Sequence, residues 1–297
     1  SYNNGKVWPR WSTSDSESED LTGGPNHLLR THDRIKSGWD YVGVNFNMSW
    51  EPDSLNLFTL SGYYSNNTWG YDSRQERTMF TNDMSVLWSL NRTGKNSGLY
   101  NGFGFGASYQ HTFGREDHTL VASYEYDLGY NRDNNEYINE TLEGEAIETP
   151  YTRNREINDY GTHILQIDYS NRFNKRHLLE AGVKMNFNPS NADSRPYFGT
   201  SSEDAVMNES LRVKMSQFKD IYAVYGSWSG TFGKWNMKAG VRYEHTRMGL
   251  KYKIGEYPDF TTHLNDVVPN AAVSYNITSG SSLRAAYQLR IARPGLG

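Results

Sequence analysis

The residues able to do chemistry are scattered rather than clustered. Eight histidines are spread over 297 residues. His111 and His118 flank a short turn and could meet, but no third ligand stands beside them, so no metal site is expected. Neither a Gly-x-Ser-x-Gly elbow nor a His-Glu-x-x-His motif occurs. Nothing places a base next to a nucleophile, so no enzyme, catalytic residue or cofactor is expected. Two acidic stretches could hold a cation through carboxylates: Ser14 to Asp20, and Glu140, Glu143, Glu145 and Glu148. Both read more simply as solvated loops. Arg242, Arg284, Arg290, Lys184, Lys238, Glu180 and Glu244 fall on the polar side of alternating segments. They could meet an anionic ligand or an inner body. A ladder of cross-strand ion pairs is the simpler expectation. Trp69, Tyr71, Tyr151, Tyr197 and Tyr257 lie in polar segments and could touch a ligand that cannot be named from sequence.

The elements that carry these residues are strands. Pro269 to Thr278 alternates Ala271, Val273, Tyr275 and Ile277 with Asn270, Ser274, Asn276 and Thr278. Such period-two patterning marks strands with two unlike faces. It recurs in Leu283 to Ile291, Trp235 to Thr246, Leu179 to Asn188, Val42 to Trp50, Phe103 to His111, His118 to Tyr130 and His163 to Tyr169. Gly102, Gly104 and Gly106 stripe one face of a single strand, which suits close packing of another body or a curving wall.

About ten strands are expected: 39–50, 55–66, 100–112, 117–131, 158–170, 176–188, 215–230, 234–248, 267–278 and 281–292. Their connections alternate strictly between short turns and long loops, the long ones being roughly 67–99, 132–157, 189–214 and 249–266. Thr78 to Leu90 could itself contain a hairpin. Residues 1–38 read as a further long loop. Strands of roughly 10–13 residues exceed the usual five or six of globular sheets and suit a bilayer crossing. Short turns on one side and long loops on the other are the pattern of a transmembrane β-barrel. Trp39, Trp50, Tyr130, Trp228 and Trp235 sit at strand ends and would form interfacial girdles.

Composition fits that reading. Hydrophobic residues make up 36%, aromatics 14% and charged residues 22%, with mean hydropathy −0.79. Aromatic content argues against disorder. The longest apolar run is about five residues, Ile221 to Tyr225, too short for a spanning helix. Net charge is −4, so nucleic acid is a poor partner. There is no cysteine, which excludes a disulfide scaffold. A soluble β-sandwich or propeller is the alternative, with shorter strands and less lopsided loops.

The last third carries a resemblance. It lies in Phe218-Lys219-Asp220-Ile221-Tyr222-Ala223-Val224-Tyr225, Gly230-Thr231-Phe232-Gly233-Lys234-Trp235 and Ala239-Gly240-Val241-Arg242-Tyr243-Glu244. It continues in Val268-Pro269-Asn270-Ala271-Ala272-Val273-Ser274-Tyr275 and Leu283-Arg284-Ala285-Ala286-Tyr287, ending in Arg290-Ile291-Ala292-Arg293-Pro294. Together these resemble the outer-membrane β-barrel family found with TonB-dependent receptors of Bacteroidota. The family motif falls on Arg290, Ile291, Arg293 and Pro294. The Leu-Asn-Pro-aromatic stretch that usually follows in the family is not reached by Gly297. Residues 39–190 match only in style.

The resemblance implies an antiparallel barrel of about 22 strands, of which this chain would be an internal part. The whole of 1–297 would then belong to one barrel domain, with the plug and the C-terminal strands lying elsewhere. It also implies the outer membrane of a Gram-negative bacterium, with lipid around the wall. By the same resemblance the barrel would bind and import an extracellular nutrient (siderophore, glycan or peptide), driven by the TonB–ExbB–ExbD complex through the plug. The alternatives are a structural or adhesion barrel without transport, and a soluble extracellular glycan-binding β-protein.

Overall fold

The computed structural model describes residues 1–20, 27–114, 117–145 and 147–291. Among them every regular element is a strand. They are β1 (Tyr2–Glu19), β2 (Leu28–Asp53), β3 (Asn56–Phe80), β4 (Val86–Thr112), β5 (His118–Glu143), β6 (Tyr151–Asn174), β7 (His177–Gly199), β8 (Val206–Met207), β9 (Val213–Phe232), β10 (Trp235–Ile254), β11 (Phe260–Thr278) and β12 (Ser281–Gln288). All neighbours pair antiparallel in chain order, except that the two-residue β8 lies off this path and pairs with β7. The sheet is open, with β1 and β12 at its edges.

Two expectations need correction. Residues 1–38 are not a loop: β1 and the first part of β2 pair along most of that length. The acidic run Ser14 to Asp20 accordingly lies mostly in β1, where Glu17 accepts from Arg30 at 2.7 Å and Asp15 meets His32 at 2.5 Å. The long loops are mostly strand as well. The 67–99 segment is a hairpin tip, with β3 and β4 continuing to the turn at Thr81 to Ser85. Thus β2 to β6 reach 24 to 27 residues, far more than a bilayer needs. The short turns fall where expected and are set by side chains. Asp53 accepts from the backbone of Leu55 and Asn56 at 2.8 and 2.9 Å, and Asn174 does the same for Arg176 and His177.

Register sorts the faces. Trp50, Phe58, Tyr109, Ala122, Ile167, Val183, Val224, Tyr243 and Val267 are successive cross-strand partners from β2 to β11. One residue along each strand, the facing row is Ser49, Thr59, Ser108, Ser123, Gln166, Lys184, Ala223, Glu244 and Asp266. A one-residue slip in any pair would put its side chains on the wrong face. The apolar row is displayed rather than buried: Trp50 is 60% exposed, Ile167 48% and Val267 58%. Among the described residues the only buried hydrophobic side chains are Tyr151, Ala223 and Met248. Apolar area this continuous is what meets lipid or a partner, not water.

At the short-turn end the apolar face closes in a belt of rings. Trp50 stacks on Phe58 at 5.3 Å, Phe58 on Tyr109 at 4.7 Å, and His111 meets Phe113 edge-on at 4.7 Å. Phe113 then stacks on His118 at 4.5 Å. The belt resumes with Phe173, His177, Trp228 and Phe232, and with Trp235 against Tyr275.

Candidate functional site

The polar face near the short turns is a set of hydrogen-bonded charges. Gln166 donates to Asp168 at 2.6 Å and to the Tyr225 hydroxyl at 3.2 Å, and that hydroxyl donates to Asp168. Arg242 lies over the Tyr225 ring at 5.1 Å and donates to Glu244. Lys238 on β10 reaches Glu180 on β7 at 2.8 Å, across β9, where Ser227 also donates to Glu180 at 2.9 Å. The expected ladder is therefore partial. Among the described residues Lys184, Arg284 and Arg290 take part in no ion pair.

In the glycine stripe, tyrosines stand over Gly102 and Gly104 and Ser61 over Gly106. A Cβ on Gly104 would overlap the Tyr63 ring, whose hydroxyl donates to Asp127 at 2.9 Å. Trp69 covers Gly98 in the same way. Here an aromatic from the adjacent strand occupies the space a side chain would take.

Further from the short turns the same face becomes aromatic and amide-rich. Trp39 and Trp69 are register partners, with Gly98 and Asp133 next in the row. Tyr41, Asn67, Tyr100, Asn131 and Asn158 form the row below, and Ser37, Tyr71, Asn96, Asn135 and Asn154 the row above. Tyr100 and Tyr160 meet hydroxyl to hydroxyl at 2.8 Å. Asn96 donates to Asn135 at 2.5 Å, Ser194 to Asn154 at 3.1 Å, and Asn131 to Asp133 at 2.7 Å. Arg92 sits 3.9 Å over the Tyr137 ring. Flat rings beside amide and carboxylate groups suit a ligand with apolar faces and many hydroxyls.

Outside the apolar band, three titrating groups are set by their partners. The Arg195 guanidinium, then Arg212, hold the Asp193 carboxyl down at about 2. Hydrogen bonds from Thr200 and Ser201 hold Asp204 well below the usual carboxylate range. The Asp15 carboxylate raises exposed His32 above its ordinary value.

The aromatics expected in loops divide between faces. Trp69 and Tyr71 point to the polar face. Tyr151 and Tyr197 lie on the opposite one, Tyr151 only 1% exposed. Tyr257 lies against Tyr252 at 5.3 Å. Trp39, expected in a girdle, points to the polar face instead, because it is out of phase with Val42 to Trp50. Trp50, Trp228 and Trp235 do sit in the ring belt, and Tyr130 lies on the apolar face at its other end. His111 and His118 do not meet, because Phe113 lies between them; they contact Asn56 at 2.9 Å and Tyr169 at 3.1 Å. Glu140, Glu143, Glu145 and Glu148 are exposed. Of the family motif, Arg290 and Ile291 follow β12 outside any strand, while Arg293 and Pro294 lie outside the described residues. Tyr41, Tyr63, Tyr100, Tyr137, Tyr160 and Arg92 were not singled out from sequence. Carrying the period-two phase of each apolar run onward into the polar segments would have placed them on this face.

A hollow lies on the other face. It is about 690 Å³ and lies over Ala107 and Ala122, walled by Met48, Trp50, Leu60, Tyr124 and Leu165. Its position on the apolar band makes it a seat for acyl chains rather than for a solute.

One antiparallel sheet, apolar on one face and polar on the other, with rings banding the apolar face, defines a membrane-spanning β-wall. Residues 111–297, well over half of the chain, match the outer membrane protein beta-barrel family, and the chain belongs to it. The protein resides in the outer membrane of a Gram-negative bacterium, its apolar face toward lipid and its polar face toward the lumen. No curated protein matches the chain.

Proposed function

We propose that this wall belongs to a TonB-dependent-receptor-like importer of the Bacteroidota type, which binds an extracellular nutrient and passes it inward. The carrying observation is the upper lumenal face, where Trp39, Trp69, Tyr71 and Tyr100 stand among Asn67, Asn96, Asn131 and Asn135 on strands that project far past the lipid band. Of the three ligand classes, a glycan fits this chemistry best: rings stack on sugar faces and amides pair with hydroxyls. The short-turn end is then periplasmic and the long hairpins extracellular. By resemblance, a barrel of about 22 strands closes the two open edges, a plug outside residues 1–297 fills the lumen, and the TonB–ExbB–ExbD complex supplies energy. The role is binding and passage, with no catalytic step.

The test is uptake. A strain lacking the gene is fed glycans, siderophores and peptides, and then complemented with the full-length wild type or with Trp39→Ala/Trp69→Ala. Deletion is expected to abolish uptake of one nutrient class, and the double variant to lower it at least tenfold. Unchanged uptake of all three classes on deletion would refute it.

A further inference from the structure

The lipid face ends differently on β5 to β7 than elsewhere. Immediately beyond Tyr130 on β5 the next outward side chain is Arg132, and beyond Ile157 on β6 come Arg155 and Arg153. On β7 the same level carries Arg195, the direct register partner of Arg155. Like charges placed directly opposite one another destabilise a sheet. The carboxylates nearby offset them only in part. Asp193 is shared, accepting from Arg195 at 2.7 Å and from Arg212 at 3.2 Å. Glu136 stands opposite Arg153 yet is within ion-pair distance of no cation among the described residues. Arg155 has no hydrogen bond, ion pair or ring contact among them. Arg153 lies 4.2 Å over the Tyr197 ring, and its Nε and that of Arg195 have no hydrogen-bond partner.

We propose that Arg132, Arg153, Arg155 and Arg195 bind the phosphate of a phosphorylated lipid headgroup in the outer leaflet. Three features specify the ligand. The cluster faces outward, away from the lumen, so a solute in transit does not meet it. It begins one outward position past the apolar band, where headgroups lie, and consecutive same-face residues are only about 7 Å apart. Guanidinium forks on adjacent strands suit the oxygens of phosphate, and the surplus of positive charge makes an anion the missing partner. Basic clusters at the edge of a membrane-spanning surface recognise headgroups in this way. The inference rests on the outer-membrane location and on the orientation proposed above, with the long hairpins extracellular, and is independent of import.

The test uses the full-length protein extracted from outer membranes. Phosphorus content and mass spectrometry measure the phosphorylated lipid that co-purifies with wild type, Arg155→Gln/Arg195→Gln, and the periplasmic-end control Arg172→Gln. Heat-modifiable gel migration verifies that each is folded. Retained lipid is expected to fall at least tenfold in the double variant and to stay at the wild-type level in the control. In a second arm, delipidated wild type is offered the phosphorylated lipid, the same lipid after phosphatase treatment, and inorganic phosphate. Binding of only the phosphorylated lipid supports the proposal, whether or not the double variant folds. Equal retention by all three proteins, equal binding of the dephosphorylated lipid, or occupancy by inorganic phosphate without lipid overturns it.

Discussion

Val183 and Lys184 are neighbours at one depth on opposite faces, so exchanging their chemistry isolates the effect of facing lipid. Val183 is 40% exposed between Ile167 and Val224. Lys184 lies between Gln166 and Ala223 on the lumenal face. His177, in the ring belt, marks the short-turn edge of the band. Six residues further, at a tilt near 40°, Val183 stands about 15 Å above that edge, close to the middle of a band about 25 Å tall. A lysine there costs about 2–4 kcal/mol, whereas near either interface it costs about 0–1 kcal/mol. Val183→Lys is therefore expected to shift the folding equilibrium by roughly 30- to 900-fold. Lys184→Val breaks no ion pair and removes a charge from a wet lumen, so its cost stays under about 1 kcal/mol. The assay is urea-dependent folding of the full-length protein into lipid vesicles, read by heat-modifiable migration. If Lys184→Val proves as costly as Val183→Lys, the assignment of faces is wrong.

Two further outcomes follow from named contacts. Gly104→Ala forces the Tyr63 ring off its seat and strains the 2.9 Å bond to Asp127, for a loss of about 1–3 kcal/mol in the same assay. Adding Tyr63→Ala makes the pair cost less than the sum of the singles, and strict additivity would refute the contact. Asp193 is held at about 2, below its ordinary 3.8, so its pairing with Arg195 and Arg212 is fully in place above pH 3.8. That contribution, roughly 2 kcal/mol from the shift, is lost as pH falls through about 2. Pepsin, active across this range, should cut the 200–212 connector faster at pH 2 than at pH 4 in wild type. Asp193→Asn should be cut at the faster rate at both, and a wild-type rate that does not change with pH would refute the pairing.

The faces of the wall were legible in the sequence because lipid imposes them. Between Val42 and Trp50 or Leu179 and Phe187 an apolar residue is required at every second position, and a single chain reveals it. Beyond the bilayer both faces are wet, and the requirement disappears. Asn66 to Ser73 and Asn131 to Asn139 therefore read as loop, although Trp69, Tyr71, Asn96 and Asn135 pair in unbroken register. The acidic run of β1 misled for the same reason, since its partners Arg30 and His32 lie far off in sequence and only register brings them opposite. The outward arginines of β5 to β7 were hidden too, because like charges on adjacent strands leave no trace along one strand.

The central claim is that successive positions along each spanning strand meet lipid and lumen in strict alternation. Because the chain contains no cysteine, single cysteines can be introduced one at a time from His163 to Tyr169 and spin-labelled. Collision with oxygen and with a water-soluble nickel chelate is then measured in vesicles of the full-length protein. Labels at His163, Leu165, Ile167 and Tyr169 should favour oxygen, and those at Ile164, Gln166 and Asp168 the nickel chelate, in strict alternation. Accessibility without a period of two, or with its phase reversed, would contradict the account.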